Sequence, residues 1–137
     1  GAQEMLGVAV LLSHDDDNDP FKYFSRALEH YAKLPPSRAS RMLSTRCALL
    51  ASAYLTAAGR FATASMVLMR AHFDEENARA ALLLEQSAYC LLYCQPPAGR
   101  KFAFQCVLAG LRYHAAGQKK LAIHAYRQVL GAYTSKR

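Results

Sequence analysis

The sequence has little of what marks disordered, fibrous or membrane-spanning chains. Among its 137 residues there is no tryptophan and there are only seven glycines and five prolines, while 53% of the residues are hydrophobic. A disordered tail or a collagen-like repeat needs far more glycine, proline or charge, so both are excluded. The longest apolar stretch, residues 5–12, covers 8 residues, whereas a membrane-spanning helix needs about 20. We therefore expect one folded domain over residues 1–137.

Acidic side chains are missing from one end of the chain. Residues 87–137 contain eight Lys and Arg but no Asp or Glu, whereas residues 1–36 have a net charge of −3 and the whole chain one of +7. A basic surface of this kind attracts nucleic acid, anionic lipid or an acidic protein. Alternatively, a neighbouring part of a longer protein supplies the balancing acids. Charge alone leaves these alternatives open.

Cysteines are few, and their spacing fits no disulfide framework. The four of them, Cys47, Cys90, Cys94 and Cys106, are not clustered, and no basic residue precedes the first apolar stretch as it does in a secretory signal. We expect reduced, buried thiols in a cytoplasmic protein. A zinc site on Cys90 and Cys94 would need a second close pair, which is missing. The sequence therefore predicts no metal and no cofactor.

Catalytic motifs are also missing. The acidic residues 15–19 resemble the start of a calcium loop, but Pro20 and Arg26 stand where that loop needs glycine and glutamate. The five histidines have no H-E-x-x-H spacing, and there is neither a glycine-rich phosphate loop nor a G-x-S-x-G elbow. The residues thus nominate no active site, and we predict a protein that is not an enzyme.

Helix-forming residues dominate what is present. Alanine, the strongest helix former, makes up 25 of the 137 residues. Asp19 before Pro20 predicts a helix start, while Gly59 and Gly117 predict helix ends. Short connections favour antiparallel neighbours, so the predicted fold class is all-α, a stack of helical hairpins. Apolar spacing between these signals predicts seven helices, at about residues 2–12, 20–33, 37 or 40 to 59, 61–73, 76–94, 99–116 and 118–133.

A weak internal repeat supports this stack. Each copy has a small residue, a large residue three positions later, a glycine at the turn, and then alanine and a large residue in the next helix, as in tetratricopeptide repeats. The two glycines are 58 residues apart, which fits an irregular tetratricopeptide-like α-solenoid; a non-repeating helical bundle is the alternative. The copies align Ser52, Leu55, Gly59, Ala64, Leu68 and Ala71 with Gly110, Tyr113, Gly117, Ala122, Tyr126 and Val129.

Basic residues stand near aromatic ones in two places of the C-terminal half. A platform for single-stranded nucleic acid needs exposed aromatic rings, but Phe102, Tyr113 and Tyr126 have the spacing of core residues. We therefore expect buried rings, no nucleic-acid binding and bases on the rim that contact a partner. The predicted partner-binding residues are Arg100, Lys101, Lys119 and Lys120.

Several stretches of the chain are specific enough to compare with a known family. They are residues 81–88 (ALLLEQSA), 100–104 (RKFAF), 108–110 (LAG) and 116–120 (AGQKK) with Ala122, and, upstream, residues 46–50 (RCALL) with Glu4 and Met5. At these separations they resemble the helical region of subunit 8 of the TRAPP (transport protein particle) complexes. The resemblance covers most of the chain, is most specific between residues 82 and 120, and is weakest between residues 13 and 40.

This resemblance implies a role in membrane traffic. Proteins of the family are far longer than this chain, so it implies a fragment of a large subunit, the one that defines the TRAPP III form. That complex activates a Rab-family GTPase by nucleotide exchange in ER–Golgi traffic and autophagy, and small core subunits carry the exchange chemistry. The implied partners are other TRAPP subunits, indirectly the Rab GTPase, and peripherally a Golgi or pre-autophagosomal membrane.

Two other functions remain open on the residues alone. A free-standing helical-repeat adaptor would bind peptides on its concave surface, as solenoids commonly do. An RNA-binding helical repeat would use the basic C-terminal end. The resemblance favours a non-catalytic scaffold segment in membrane traffic over these two functions.

Overall fold

The chain is helical throughout the part that the structure describes. A computed structural model describes residues 19–35 and 37–134, which contain six α-helices, one short 3-10 helix and no strand. This confirms the all-α prediction; the helix predicted over residues 2–12 lies outside the described residues. Within them, no helix combines the length and apolarity needed to cross a bilayer. The helices are α1 (Pro20–Ala32), α2 (Arg38–Ala57), α3 (Phe61–Ala71), α4 (Asn77–Leu92), α5 (Gly99–Ala115) and α6 (Lys119–Thr134).

Polar residues just before two helices set where those helices begin. Asp19 is the N-cap of α1, since its carboxylate accepts the Phe21 N–H at 3.1 Å, and Pro20 follows as the first helical residue. Ser37 and Ser40 form a reciprocal capping box at the start of α2. Both starts agree with the prediction from sequence.

The helix predicted over residues 61–73 is shorter in the structure. It ends at Ala71, and the 3-10 helix His72–Asp74 follows. The His72 ring bonds back to the Met69 carbonyl, which in a continuing α-helix would accept the Phe73 N–H. This side-chain contact lies where the α-helix gives way to the 3-10 helix.

Two glycine turns have the same backbone geometry. Gly59 and Gly117 have φ values of +75° and +77°, a left-handed conformation that side chains disfavour. Arg60 N–H donates to the Leu55 carbonyl, and Gln118 N–H donates to the Tyr113 carbonyl, both at 2.8 Å. These are the 6→1 hydrogen bonds of the Schellman motif. The predicted helix ends are confirmed at both glycines.

The described helices fall into two compact units. The first ends at Arg60 and the second begins at Phe61. In the first, α1 packs on α2, and the Cys47 thiol donates to the Phe24 carbonyl at 3.6 Å. The buried apolar residues of this unit are Phe24, Ala27 and Tyr31 of α1 and Cys47, Ala48, Ala51 and Leu55 of α2.

In the second unit, each helix packs against the next along the chain, from α3 to α6. Arg112 near the end of α5 donates to Asn77 at the start of α4 at 2.9 Å, so these two helices are antiparallel. Tyr113 at the end of α5 packs with Ala122 at the start of α6, so α5 and α6 are antiparallel as well. Its core includes two clusters, one of Ala81, Leu84, Ala109, Tyr113, Ala122 and Ala125 and one of Ala88, Leu91, Phe102 and Cys106.

Candidate interaction surface

Helices α5 and α6 form a hairpin in which the Tyr126 side chain packs directly against Gly110. The Tyr126 ring of α6 lies across this glycine, so a Cβ atom added there would lie 2.8 Å from two ring atoms. Side-chain carbons do not approach one another so closely, and the pair therefore needs a residue without a side chain at this crossing. At Gly110 the structure thus has the contact between a small and a large residue that the repeat predicts.

The burial predicted for three aromatic rings is right for two of them. Phe102 and Tyr113 are 3% and 1% exposed. Tyr126 is only half-buried, so the prediction was wrong there. Its ring packs against Gly110 and the edge of the core cluster around Tyr113, and its outer part stays exposed because glycine offers no side chain to surround it.

Glu85 links α4 to α5. Its two carboxylate oxygens accept hydrogen bonds from the hydroxyls of Tyr113 on α5 and of Tyr89 on α4, at 2.7 and 3.3 Å. Burial raises the pKa of both phenols, and the neighbouring Glu85 carboxylate raises it further. Both hydroxyls therefore keep their protons at neutral pH and keep donating. The contact fixes how α5 sits on α4.

A buried serine pair links α3 to α4 in the same way. The Ser87 hydroxyl, which is 0% exposed, donates to the Ser65 carbonyl at 2.9 Å, and the two hydroxyl oxygens lie 2.9 Å apart. Because a hydroxyl carries one proton, the Ser65 hydroxyl must donate to Ser87. The two linked helices, together with Glu85, hold the α5–α6 hairpin from one side.

The other side of this hairpin carries exposed apolar residues, which we call the apolar stripe. On α6, Tyr126 lies between Ile123 and Leu130 of this stripe. The Tyr126 ring covers Gly110, which lies between Val107 and Leu111 on α5. Spacings of three and four residues place the members from each helix on one face, so the two rows flank the helix crossing. Exposed apolar patches mark interaction sites. The stripe consists of Phe104 (60% exposed), Val107 (37%), Leu111 (54%), Ile123 (49%) and Leu130 (65%).

The four basic residues predicted to bind a partner lie at helix starts, and all are exposed. Arg100 and Lys101 are in the first turn of α5, whereas Lys119 and Lys120 begin α6. In an antiparallel hairpin these are opposite ends, about 25 Å apart at 1.5 Å of rise per residue. The structure thus places one pair at each end of the apolar stripe and does not bring all four together. Their role in partner binding stays a prediction.

These bases do not help the fold where they stand. The start of a helix carries a partial positive charge, so Lys and Arg in the first turn weaken the helix and Asp or Glu would strengthen it. Neither α5 nor α6 has an acidic residue in its first turn. The stability of the two helices therefore does not explain these positions.

The thiols and histidines do not converge on a site. Among the described residues, no three His, Cys, Asp or Glu side chains lie close enough to hold a metal ion together. Burial raises the pKa of Cys106 to about 11, and the Glu85 charge adds to this, so its thiol is protonated at neutral pH and is a poor ligand and nucleophile. Of the acidic residues 15–19, only Asp19 is described, and it caps α1.

The sequence reasoning missed the apolar stripe and Glu85. Phe104, Val107 and Leu111 have the same helical spacing as the core residues of α5, and a pattern of spacing does not say which of two apolar faces is covered. Their position opposite Phe102 was the available signal. Nothing in the local sequence indicates that Glu85 links two helices, because its partner Tyr113 lies 28 residues away along the chain.

Comparison with known proteins extends the resemblance to the whole chain. No family model matches it. It is similar to human Trafficking protein particle complex subunit 8, with 34% identity over 137 residues that cover 99% of this chain. The chain spans 9% of the length of that protein. The similarity confirms the resemblance found in residues 81–122, and the chain therefore belongs to the TRAPP subunit 8 family, of which it represents one segment.

Proposed function

We propose that this chain is a non-catalytic scaffold segment of a vesicle-tethering complex of the TRAPP III type. Such a complex exchanges nucleotide on a Rab GTPase in ER–Golgi traffic and autophagy. The relative is named as a subunit of a trafficking particle complex, which supports other TRAPP subunits as the partners of this segment. We further propose that residues 1–137 belong to one solenoid domain of a larger subunit.

The scaffold proposal rests on one observation. The apolar stripe lies on a hairpin that α4 holds in position on the opposite side. Glu85 and the Ser65–Ser87 pair hold α3, α4 and α5 together, so the stripe has a defined shape before any partner arrives. A preorganised apolar face suits lasting association between subunits. Catalysis would instead need converging polar groups around a reacting atom.

The proposed location follows from the partners. We propose that the segment acts on the cytoplasmic side of Golgi or pre-autophagosomal membranes, held there peripherally through its complex. The exposed bases at the two helix starts are suited to an acidic subunit or an anionic lipid surface.

The scaffold role is tested by replacing this segment, within a full-length subunit of the family, with a Gly/Ser linker of equal length. We expect fewer complex subunits to co-purify with the variant and less of it to reach membranes. The isolated 137-residue chain is expected to leave nucleotide release from Rab GTPases unchanged. Normal assembly and recruitment of the linker variant would contradict the proposal, as would faster nucleotide release caused by the chain alone.

A further inference from the structure

We infer that the apolar stripe binds an acidic amphipathic helix of a partner protein, an inference that deepens the proposed scaffold role and rests on it. Two rows of exposed apolar side chains on neighbouring antiparallel helices form a seat for a third helix. At 1.5 Å of rise per residue, the 17 residues of α5 span about 25 Å, so a partner helix of similar length covers the seat.

The charge pattern identifies the partner as acidic. Arg100 lies four residues before Phe104 on α5, and Lys119 lies four residues before Ile123 on α6, so each base continues the row of its own helix. Because the helices are antiparallel, the two bases lie at opposite ends of the seat. Residues 87–137 contain no Asp or Glu, so carboxylates of a partner meet no repulsion anywhere on this hairpin.

The same pattern disfavours the other occupants. A second copy of this hairpin would bring bases against bases, since it has no carboxylate to offer. Helices that lie on membranes carry bases along the whole border of their apolar face. Here Arg100 and Lys119 stand at the ends of the two rows. One further base, Arg127, lies between Ile123 and Leu130 on α6, and the α5 row has no base between Phe104 and Leu111. Glutamates near both ends of a partner helix match this arrangement.

The test uses the full 137-residue chain and two synthetic peptides of 17 residues. The first peptide has leucines at positions i, i+3, i+4 and i+7 and glutamates elsewhere, and the second has lysines in place of the glutamates. Binding is followed by fluorescence anisotropy at low and physiological salt. Vesicles of phosphatidylcholine with 30% phosphatidylserine, roughly the anionic content that gives a strong surface potential, provide the membrane arm, and sedimentation reports self-association.

Two matched variants separate the effect of the apolar stripe on binding from the effect of an added negative charge. Leu111→Glu places a carboxylate within the stripe, whereas Met66→Glu places one on α3 at a residue of matching exposure, 54% against 55%. We expect the acidic peptide to bind, with at least tenfold weaker affinity for Leu111→Glu and unchanged affinity for Met66→Glu. Reversing Lys119 and Lys120 to glutamate should weaken binding and reduce its dependence on salt.

Several results would overturn this inference. They are no binding of the acidic peptide, equal or tighter binding of the lysine peptide, equal losses in the Leu111 and Met66 variants, preferential binding to the vesicles, or a dimer that Leu111→Glu abolishes. None of these results would affect co-purification in the linker experiment, so the scaffold role and the docking of an acidic helix can fail separately.

Discussion

In each of the two compact units a carboxylate accepts hydrogen bonds from a neighbouring helix, and the surroundings of these two carboxylates differ. In the first unit, Asp19 before α1 accepts hydrogen bonds from Tyr54 of α2 and from Arg60, both at 3.1 Å, with its own side chain 47% exposed. In the second, Glu85 is half-buried and binds Tyr113, which is 1% exposed.

The difference shows which polar contacts matter for stability. Burial tends to raise the pKa of Asp19, but hydrogen bonds from the Phe21 N–H, Tyr54 and Arg60 lower it below 3.8 overall. Water nevertheless screens this exposed group, and exposed ion pairs contribute little. The Glu85 contact has less access to water, so removing its partner leaves a charge without equivalent solvation. We expect the second unit to depend more on its carboxylate than the first.

The largest effect is expected where the second unit is packed most closely. Gly110→Leu forces a side chain into the Tyr126 ring and should reduce the free energy of unfolding by about 1 to 3 kcal/mol. Ala39→Leu, at an exposed position of α2, is the control and should be nearly neutral. Chemical denaturation measures both. Equal unfolding midpoints for Gly110→Leu and the parent chain would disprove the close crossing.

The next effect concerns the half-buried carboxylate itself. Tyr113→Phe removes the 2.7 Å hydrogen bond to Glu85 and should cost about 1.5 kcal/mol, as a bond to a charged group does. Tyr89→Phe removes only the 3.3 Å bond and should cost less. Denaturation midpoints of the two variants are the measurement. A larger loss for Tyr89→Phe would reverse the importance that we assign to the two phenols.

The exposed carboxylate should matter less. Asp19→Ala removes the cap of α1 together with the Tyr54 hydrogen bond and the Arg60 ion pair and should cost about 1 kcal/mol, most of it from the cap. Arg60→Gln removes the ion pair and an exposed contact of the guanidinium with the Phe21 ring, and should change stability by no more than about 0.5 kcal/mol. Unfolding curves at low and high salt test both variants. If Asp19→Ala cost more than Tyr113→Phe, the contrast between the two carboxylates would be wrong.

One expected effect has the opposite sign. Replacing both Lys119 and Lys120 with glutamate puts negative charge at the start of α6 and should stabilise the chain by about 0.5 to 1 kcal/mol. Thermal unfolding at low salt measures the gain, which salt should diminish. A loss of stability would show that these lysines serve the fold, and would remove the argument that they are kept for binding.

The sequence was a good guide to the ends of helices. Asp19, Ser37, Gly59 and Gly117 each act within a few residues of their own position, through a cap or a left-handed turn. Such local chemistry can be read directly from neighbouring residues. The early end of α3 escaped prediction because apolar spacing does not distinguish a last α-helical turn from the 3-10 turn His72–Asp74 that follows it.

The candidate surface was only partly predictable. The bases at 100, 101, 119 and 120 could be found from the sequence, but their separation to opposite ends of the hairpin follows from the antiparallel packing of α5 and α6. The exposed face of α5 could not be told from its core face by periodicity. Both features depend on which helices pack together, and such tertiary pairing is weakly encoded in local sequence.

The most direct test of the account is the amount of other complex subunits that co-purify with a full-length family member carrying Leu111→Glu. We expect a clear loss for this variant and normal recovery for Met66→Glu, since only the first alters the apolar stripe. Both variants should be equally abundant, because both side chains are more than half exposed. Full recovery of the complex with Leu111→Glu would contradict the claim that this face of the α5–α6 hairpin holds a partner.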